Sequence, residues 1–558
     1  MKKQYLLVTV ILILFLTSCS LIGLNRKLKT PKRPGKYPVF TEADTLRGKL
    51  TKYRKNFDVT FYEINVDLNI EDRYIKGHVD IYFNPLTDLD TIQIDLYKNL
   101  KINKIVNGTD SLTFTRKFNA VFVSFKNKIK VGEKTKITVY YEGKPIKAPK
   151  PPWDGGFVWK KDKNKNPWIG VSCELDGASL WWPLKDHLSD EPDSLKMNIT
   201  IPEGLFCVSN GQFIKKEKTG NKETFSWKTT YPINTYDATI YIGKYEHFTI
   251  PYPKSDTTYN LDFYVLPYNL DKAKTHFKQT VDILKFYESK FGEYPWPRDG
   301  YKLVESPYEG MENQTAIAYG NNYKNEIGYD FDYIILHESA HEWWGNSVTA
   351  GDYADIWLHE GFATYSEALY VEYTKGYEAY LDYLSFYAML IKNKRPVVGP
   401  YDVNYWDYND GDVYFKGALM LHTLRNQINN DTLFFDIIKT FYSRYKYSIA
   451  TTKEFIALVN EKTKKDYQWF FDQYLYSRAC PQLEWAYNYK GDSNQNVFSY
   501  KWNNSNNNFR LAVKVKTGDG VITLYPSNDL QTINLISGDP VYANVNESYI
   551  SLKRIKLY

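Results

Sequence analysis

From Tyr62 to Ile70 apolar and polar positions alternate without a break. Tyr62, Ile64, Val66, Leu68 and Ile70 fall on one side, and Glu63, Asn65, Asp67 and Asn69 on the other. A period of two belongs to a strand with one buried face. The alternation returns at Ile137, Val139 and Tyr141, where Gly143 ends it, and Asn107-Gly108 and Asn210-Gly211 supply turns. Residues 50–248 are therefore expected to form a large antiparallel sheet domain. From about Leu261 the period becomes helical. Asp271 to Phe291 predicts one amphipathic helix closed by Gly292, and further helices are expected over Asp330–Trp344 and about Ile356–Tyr373. Thr451 to Glu454 has the form of a capping box, opening a helix expected to end near Arg478. Beyond Pro481 the pattern is β again, in LAVKVK, ITLYP and SYISLKRIKLY, and predicts a small β-sandwich over residues 481–558. The fold class is α+β and multidomain, with residues 249–480 as the mainly helical domain.

Residues 1–19 stand apart from this pattern. Lys2 and Lys3 precede an apolar run from Tyr5 to Leu16, short for a membrane span and suited to an export signal. The run ends in Leu16-Thr17-Ser18-Cys19, which resembles the bacterial lipobox. The expectation is lipidation of Cys19 after cleavage, and so a lipid-anchored protein of the bacterial cell envelope, facing the periplasm or the cell surface. An ordinary secretory signal with an incidental Cys is the alternative. Residues 20–49, with Pro31, Pro34 and Pro38 and a run of basic residues, read as a tether leaving the membrane.

Composition narrows the picture little. A net charge of +6 is small for 558 residues and gives no reason to expect nucleic acid as a partner. Cys173, Cys207 and Cys480 remain after Cys19. An odd number cannot all pair within the chain, so one disulfide is allowed and a disulfide framework is not expected.

The chemistry concentrates between His337 and Glu360. His337 and His341 are one helical turn apart, so both imidazoles leave one face, with Glu338 beside the first. Eighteen residues separate His341 from Glu360 on the next expected helix. Two His and one carboxylate leave a fourth position open, as in a catalytic rather than a structural zinc site. One Zn²⁺ per chain is expected. His359 neighbours Glu360 and so points about 100° away around the helix, as a packing or supporting residue.

HESAHEWWGN followed by WLHEGFA resembles the gluzincin zinc aminopeptidases, the family of alanyl aminopeptidases and leukotriene hydrolase. The resemblance covers roughly residues 50–558 and is specific in the catalytic part. It implies an N-terminal β-saddle, a thermolysin-like catalytic domain, and release of N-terminal residues from peptides with a free N-terminus. Glu309-Gly310-Met311-Glu312-Asn313 matches the family's Gly-x-Met-Glu-Asn except at Glu309, where the family has Gly. On that match Glu312, Gly310 and Met311 bind substrate and Tyr308 lines the pocket for its first side chain. Glu174, in VSCELDGASLWWP, stands where the family brings a second polar residue to the substrate amine. Tyr414, in Tyr-x-Lys-Gly-Ala, is implied to stabilise the oxyanion, while Glu338 activates the zinc-bound water. Glu367 lies two turns beyond Glu360 on the same face, placed to support a ligand His. Many members continue into a large helical domain, and the chain is read as lacking it. Two other classes stay open: a thermolysin-like zinc endopeptidase, and a non-catalytic, membrane-anchored peptide-binding protein. An epoxide hydrolase, known in one branch of the family, would need a specialised lipid tunnel.

Overall fold

The computed structural model describes residues 34–253, 258–407, 409–488, 496–517, 520–535, 542–543 and 547–556. Cys19, the signal segment and the start of the tether lie outside the described residues. Two compact units emerge, Pro31–Arg478 and a second containing Ala479–Tyr558.

The larger unit begins with a ten-stranded sheet. Its strand Phe57–Asn69 buries Tyr62, Ile64, Val66 and Leu68, the apolar side of the alternation. It pairs antiparallel with Tyr74–Pro85 but parallel with Ser194–Pro202. The sheet is thus not purely antiparallel. Its partner on that side arrives only after a long crossover, and a crossover can return the chain in the same direction. The edge strand Gln212–Thr219 is exposed throughout, and Lys215, Lys216 and Lys218 discourage further pairing there. A four-stranded sheet includes Pro167–Ser172, which runs directly into Cys173 and Glu174.

Five strands then form the sheet of the helical part, in the spatial order Glu246–Pro253, Thr258–Val265, Tyr301–Glu305, Ile317–Tyr319 and Gly310–Met311. The first of them spans residue 248, and the second holds Leu261 in a strand rather than a helix. The last is an edge strand, antiparallel to its one neighbour. Four helices carry the site: α1 Tyr333–Ala340, α2 Trp357–Lys375, α3 Tyr377–Leu390 and α4 Asp412–Ile428.

Three expected helices differ in extent. Asp271–Phe291 is two helices, Leu270–His276 and Gln279–Phe291, separated at Phe277, whose ring packs on Phe263 and Tyr319. The segment Asp330–Trp344 is helical only from Tyr333 to Ala340, with the Asp332 carboxylate capping its start. The chain then turns, and Gly345 takes a φ of 121° that a side chain would resist. The capping box of Thr451 and Glu454 forms, but its helix stops at Thr463, where Lys464 adopts the left-handed region, and Gln468–Tyr474 is a separate helix.

The second unit is β-rich. It has a four-stranded sheet ordered Gln531–Leu535, Asn496–Asn503, Gln482–Asn488, Ser551–Arg554, and a three-stranded one around Val513–Thr517. Cys173, Cys207 and Cys480 are buried, and none of them forms a disulfide among the described residues.

Candidate active site

α1 and α2 bring His337, His341 and Glu360 together. His341 caps the C-terminus of α1 while keeping helical dihedrals, so it still shares a face with His337. The two Nε2 atoms are 3.1 Å apart, and Glu360 Oε2 lies 3.4 Å from one and 3.5 Å from the other. A tetrahedral zinc with arms of about 2.0–2.1 Å sets its ligand atoms about 3.3–3.4 Å apart, so the triangle fits. Among the described residues Glu360 Oε2 is buried without a hydrogen-bond partner, and a buried carboxylate oxygen left so calls for a cation. The tautomers agree. His341 Nδ1 lies 2.8 Å from the Trp344 carbonyl, which can only accept, so Nδ1 carries the proton and Nε2 offers its lone pair inward. Without a metal, burial works to raise the Glu360 carboxyl, and His341 and His337, protonated in that state, outweigh it and hold it at about 2.

His337 is held from behind. Its Nδ1 is 2.7 Å from Glu367 Oε1, and Glu367 Oε2 accepts from the hydroxyls of Tyr383 and Tyr387 at 2.6 and 2.5 Å. These two tyrosines sit one turn apart on α3. In a chain with 50 Tyr, a spacing of four was the only sign of them available in the sequence.

α2 and α4 cross where Gly361 meets Gly417. A Cβ on Gly417 would stand 2.9 Å from the Gly361 Cα, so only a side-chain-free contact permits this approach. The glycine of the Lys-Gly-Ala segment thereby sets Tyr414, in the first turn of α4, against His337. Its ring lies 6.1 Å from that of His337. Burial, then the negative charge of Glu360, Glu174 and Glu312, pushes its hydroxyl well up, so it stays protonated and able to donate.

Around the triangle stand three more carboxylates. One oxygen each from Glu174, Glu312 and Glu360 falls within 4.8 Å of the others, and so do ligand atoms of Glu312, Glu338 and His341. Burial pushes the Glu338 carboxyl up to about 8, with Glu312 adding and His337 and His341 opposing. Glu174 is raised by burial and then by Glu312, Glu360 and Glu338. Its Oε1 has no partner, while its carbonyl accepts from the Tyr353 hydroxyl. Glu312 follows the edge strand. Gly310 packs directly on Glu338, since a Cβ there would lie 2.3 Å from Oε1. Met311 is buried, and the buried Tyr308 donates its hydroxyl to the Val171 carbonyl at 2.9 Å.

Tyr236 had no signal in the sequence. It comes from the short 3-10 helix Thr235–Asp237 of the N-terminal half and donates to Glu312 Oε1 at 3.1 Å. His359 supports it. The Ala350 N–H donates to His359 Nε2 at 2.8 Å, and burial holds this imidazole down at about 3, so it is neutral with its proton on Nδ1. That Nδ1 lies 3.5 Å from the Tyr236 oxygen. Asn346 donates to the Glu312 carbonyl at 2.8 Å.

Comparison with known proteins bears on this geometry. Residues 275–474 match the peptidase family M1 domain and residues 59–236 the peptidase M1 N-terminal domain, together more than half of the chain. The chain is 22% identical over 502 residues to a probable aminopeptidase 2 of Sulfurisphaera tokodaii, covering 85% of this chain and 61% of that protein. It is 22% identical over 493 residues to a leucyl aminopeptidase of Saccharolobus solfataricus, covering 83% and 59%. The chain thus spans about three fifths of the length of these curated relatives. In fold it is similar to a mutant M1 zinc metallopeptidase from Deinococcus radiodurans, solved with a Tyr-Ser-Ala substrate. The TM-score is 0.63 at 21% identity, over 75% of this chain and 94% of that one.

Proposed function

The chain belongs to the peptidase M1 family, and from that premise we propose that it is a zinc-dependent aminopeptidase releasing N-terminal residues from peptides. His337, His341 and Glu360 would hold the zinc. When bound, zinc supplies a Lewis acid that polarises a carbonyl and lowers the pKa of water toward about 7. Glu338 takes the proton of the attacking water and passes it to the leaving amine. The Tyr414 hydroxyl donates to the oxygen on which negative charge develops, an interaction commonly worth about 3–4 kcal/mol. Glu367 keeps the His337 ring oriented, with Tyr383 and Tyr387 holding its other oxygen. Glu312 and Glu174 receive the substrate's α-ammonium, and Tyr236 fixes the Glu312 carboxylate for it.

One observation carries the choice of exopeptidase over endopeptidase. Oxygens of Glu312 and Glu174 lie within 4.8 Å of an oxygen of the ligand Glu360. A peptide residue is about 3.3–3.4 Å long, so these acids leave space for one residue ahead of the scissile bond. The test is zinc analysis of the purified protein together with a panel of aminoacyl-fluorophore substrates. About one zinc per chain and release of the fluorophore are expected. Active protein free of zinc, or zinc protein inert on every aminoacyl group, would overturn the reading. We also propose that Cys19 anchors the protein to an envelope membrane. Labelling of the wild type but not Cys19→Ala by radioactive palmitate is expected, and equal release of both forms to the soluble fraction would contradict it.

A further inference from the structure

Among the described residues the edge strand Gly310–Met311 pairs on one side only. Its free edge offers backbone groups to which an extended peptide can add as a further strand. With the substrate amine at Glu312 and its first peptide bond over Glu338, which packs against Gly310, the peptide runs opposite to the strand. Its second residue then comes level with Glu309, at about 3.3–3.4 Å per residue. Glu309 is exposed, and its φ is not in the left-handed region, so a side chain stands there without backbone strain. Among the described residues its carboxylate has one partner, the Tyr333 hydroxyl, and no cation. Tyr333 opens α1 one turn before His337, on the same face. The pair therefore lies at the mouth of the cleft between the edge strand and α1. The tyrosine's donated hydrogen bond holds the carboxylate in one place.

We propose that Glu309 and Tyr333 form an acidic subsite for a cationic side chain, Lys or Arg, on the residue that follows the scissile bond. The proposal rests on the aminopeptidase reading and deepens it. An exposed ion pair is screened by water and salt, so the preference is about two- to fivefold and shrinks as salt rises. The experiment compares kcat/KM on Ala-Lys-Ala, Ala-Ala-Ala and Ala-Glu-Ala, with products read by mass spectrometry. The wild type should rank them Lys, Ala, Glu. Glu309→Gln should bring the Lys-to-Ala ratio to about one, and Glu309→Lys should place Ala-Glu-Ala first. A wild type indifferent to the second residue, or a Lys preference that survives both substitutions, overturns the subsite while leaving release of Ala intact. If Ala is released from none of the three, the aminopeptidase reading itself falls and the subsite with it.

Discussion

The molecule buries two groups of charges and treats them in opposite ways. Under the N-terminal sheet, Arg54 stands 2.5 Å from Asp95 and Lys185 stands 3.0 Å from Asp190. Asp95 also accepts from Gln93 and from the Asp186 N–H, and Asp186 accepts from the Ser179 N–H. In the cleft Glu174, Glu312, Glu338 and Glu360 crowd together, and among the described residues their only ionic partners are His337 and His341. A buried charge without a partner is costly, and one already paired is a fixed part of the fold. The first group finds its counter-charges within the chain. On the function proposed above, the second receives cations from outside, one a metal and one the ammonium of a peptide.

The comparison breaks most visibly where one residue serves chemistry alone. Glu338→Gln should keep the zinc and the melting temperature and lower kcat by about 10²–10⁴-fold. Near-normal turnover would remove Glu338 from its role. The opposite behaviour belongs to Arg54. Arg54→Met leaves Asp95 buried and unpaired, so stability should fall by about 3–5 kcal/mol in denaturant unfolding while activity per folded molecule holds. Unchanged stability would mean that Asp95 does not depend on Arg54 for its counter-charge.

Acid sharpens the contrast next. His187 sits in the N-terminal group, bonded to the Gly48 carbonyl, and burial with Arg54 and Lys185 nearby holds its pKa down at about 3. The unfolded chain takes up this proton near pH 6.5 and the folded chain only near 3. Stability should therefore be full above about pH 6.5 and fall as pH drops toward 3, by at most about 1.4 kcal/mol per unit from this group. His187→Gln should flatten that slope, and an identical acid profile would contradict the assignment. The smallest effect is expected from Tyr236→Phe, which removes one donor to Glu312. It should lower kcat/KM on free peptides by roughly fivefold, about 1 kcal/mol, without loss of zinc. No change in kcat/KM would show that Glu312 needs no such support.

The site was legible where a local spacing encodes it. A separation of four puts His337 and His341 on one face, and seven aligns Glu360 with Glu367. Tyr236 was not legible because its partner Glu312 lies 76 positions away and nothing local marks it. The contact of Gly361 with Gly417 is equally nonlocal, although it is what places Tyr414. In the fold, the alternation at Tyr62–Leu68 announced a half-buried strand but not that one neighbour would run parallel. Helical periodicity across Phe277 and Lys464 hid breaks decided by core packing in one case and a left-handed residue in the other.

The account rests on the claim that the unpaired carboxylates exist to hold an ammonium, and one comparison tests it most directly. A single peptide is offered in free and N-acetylated form to the wild type and to Glu312→Ala, with products read by mass spectrometry. Two charge-assisted contacts of roughly 1.5–3 kcal/mol each should favour the free form by about 10²-fold or more. Glu312→Ala should lose much of that preference by slowing the free peptide while leaving the acetylated one as poor as before. Comparable rates on the two forms by the wild type, or products cut at internal bonds, would contradict the claim and move the protein to the endopeptidases.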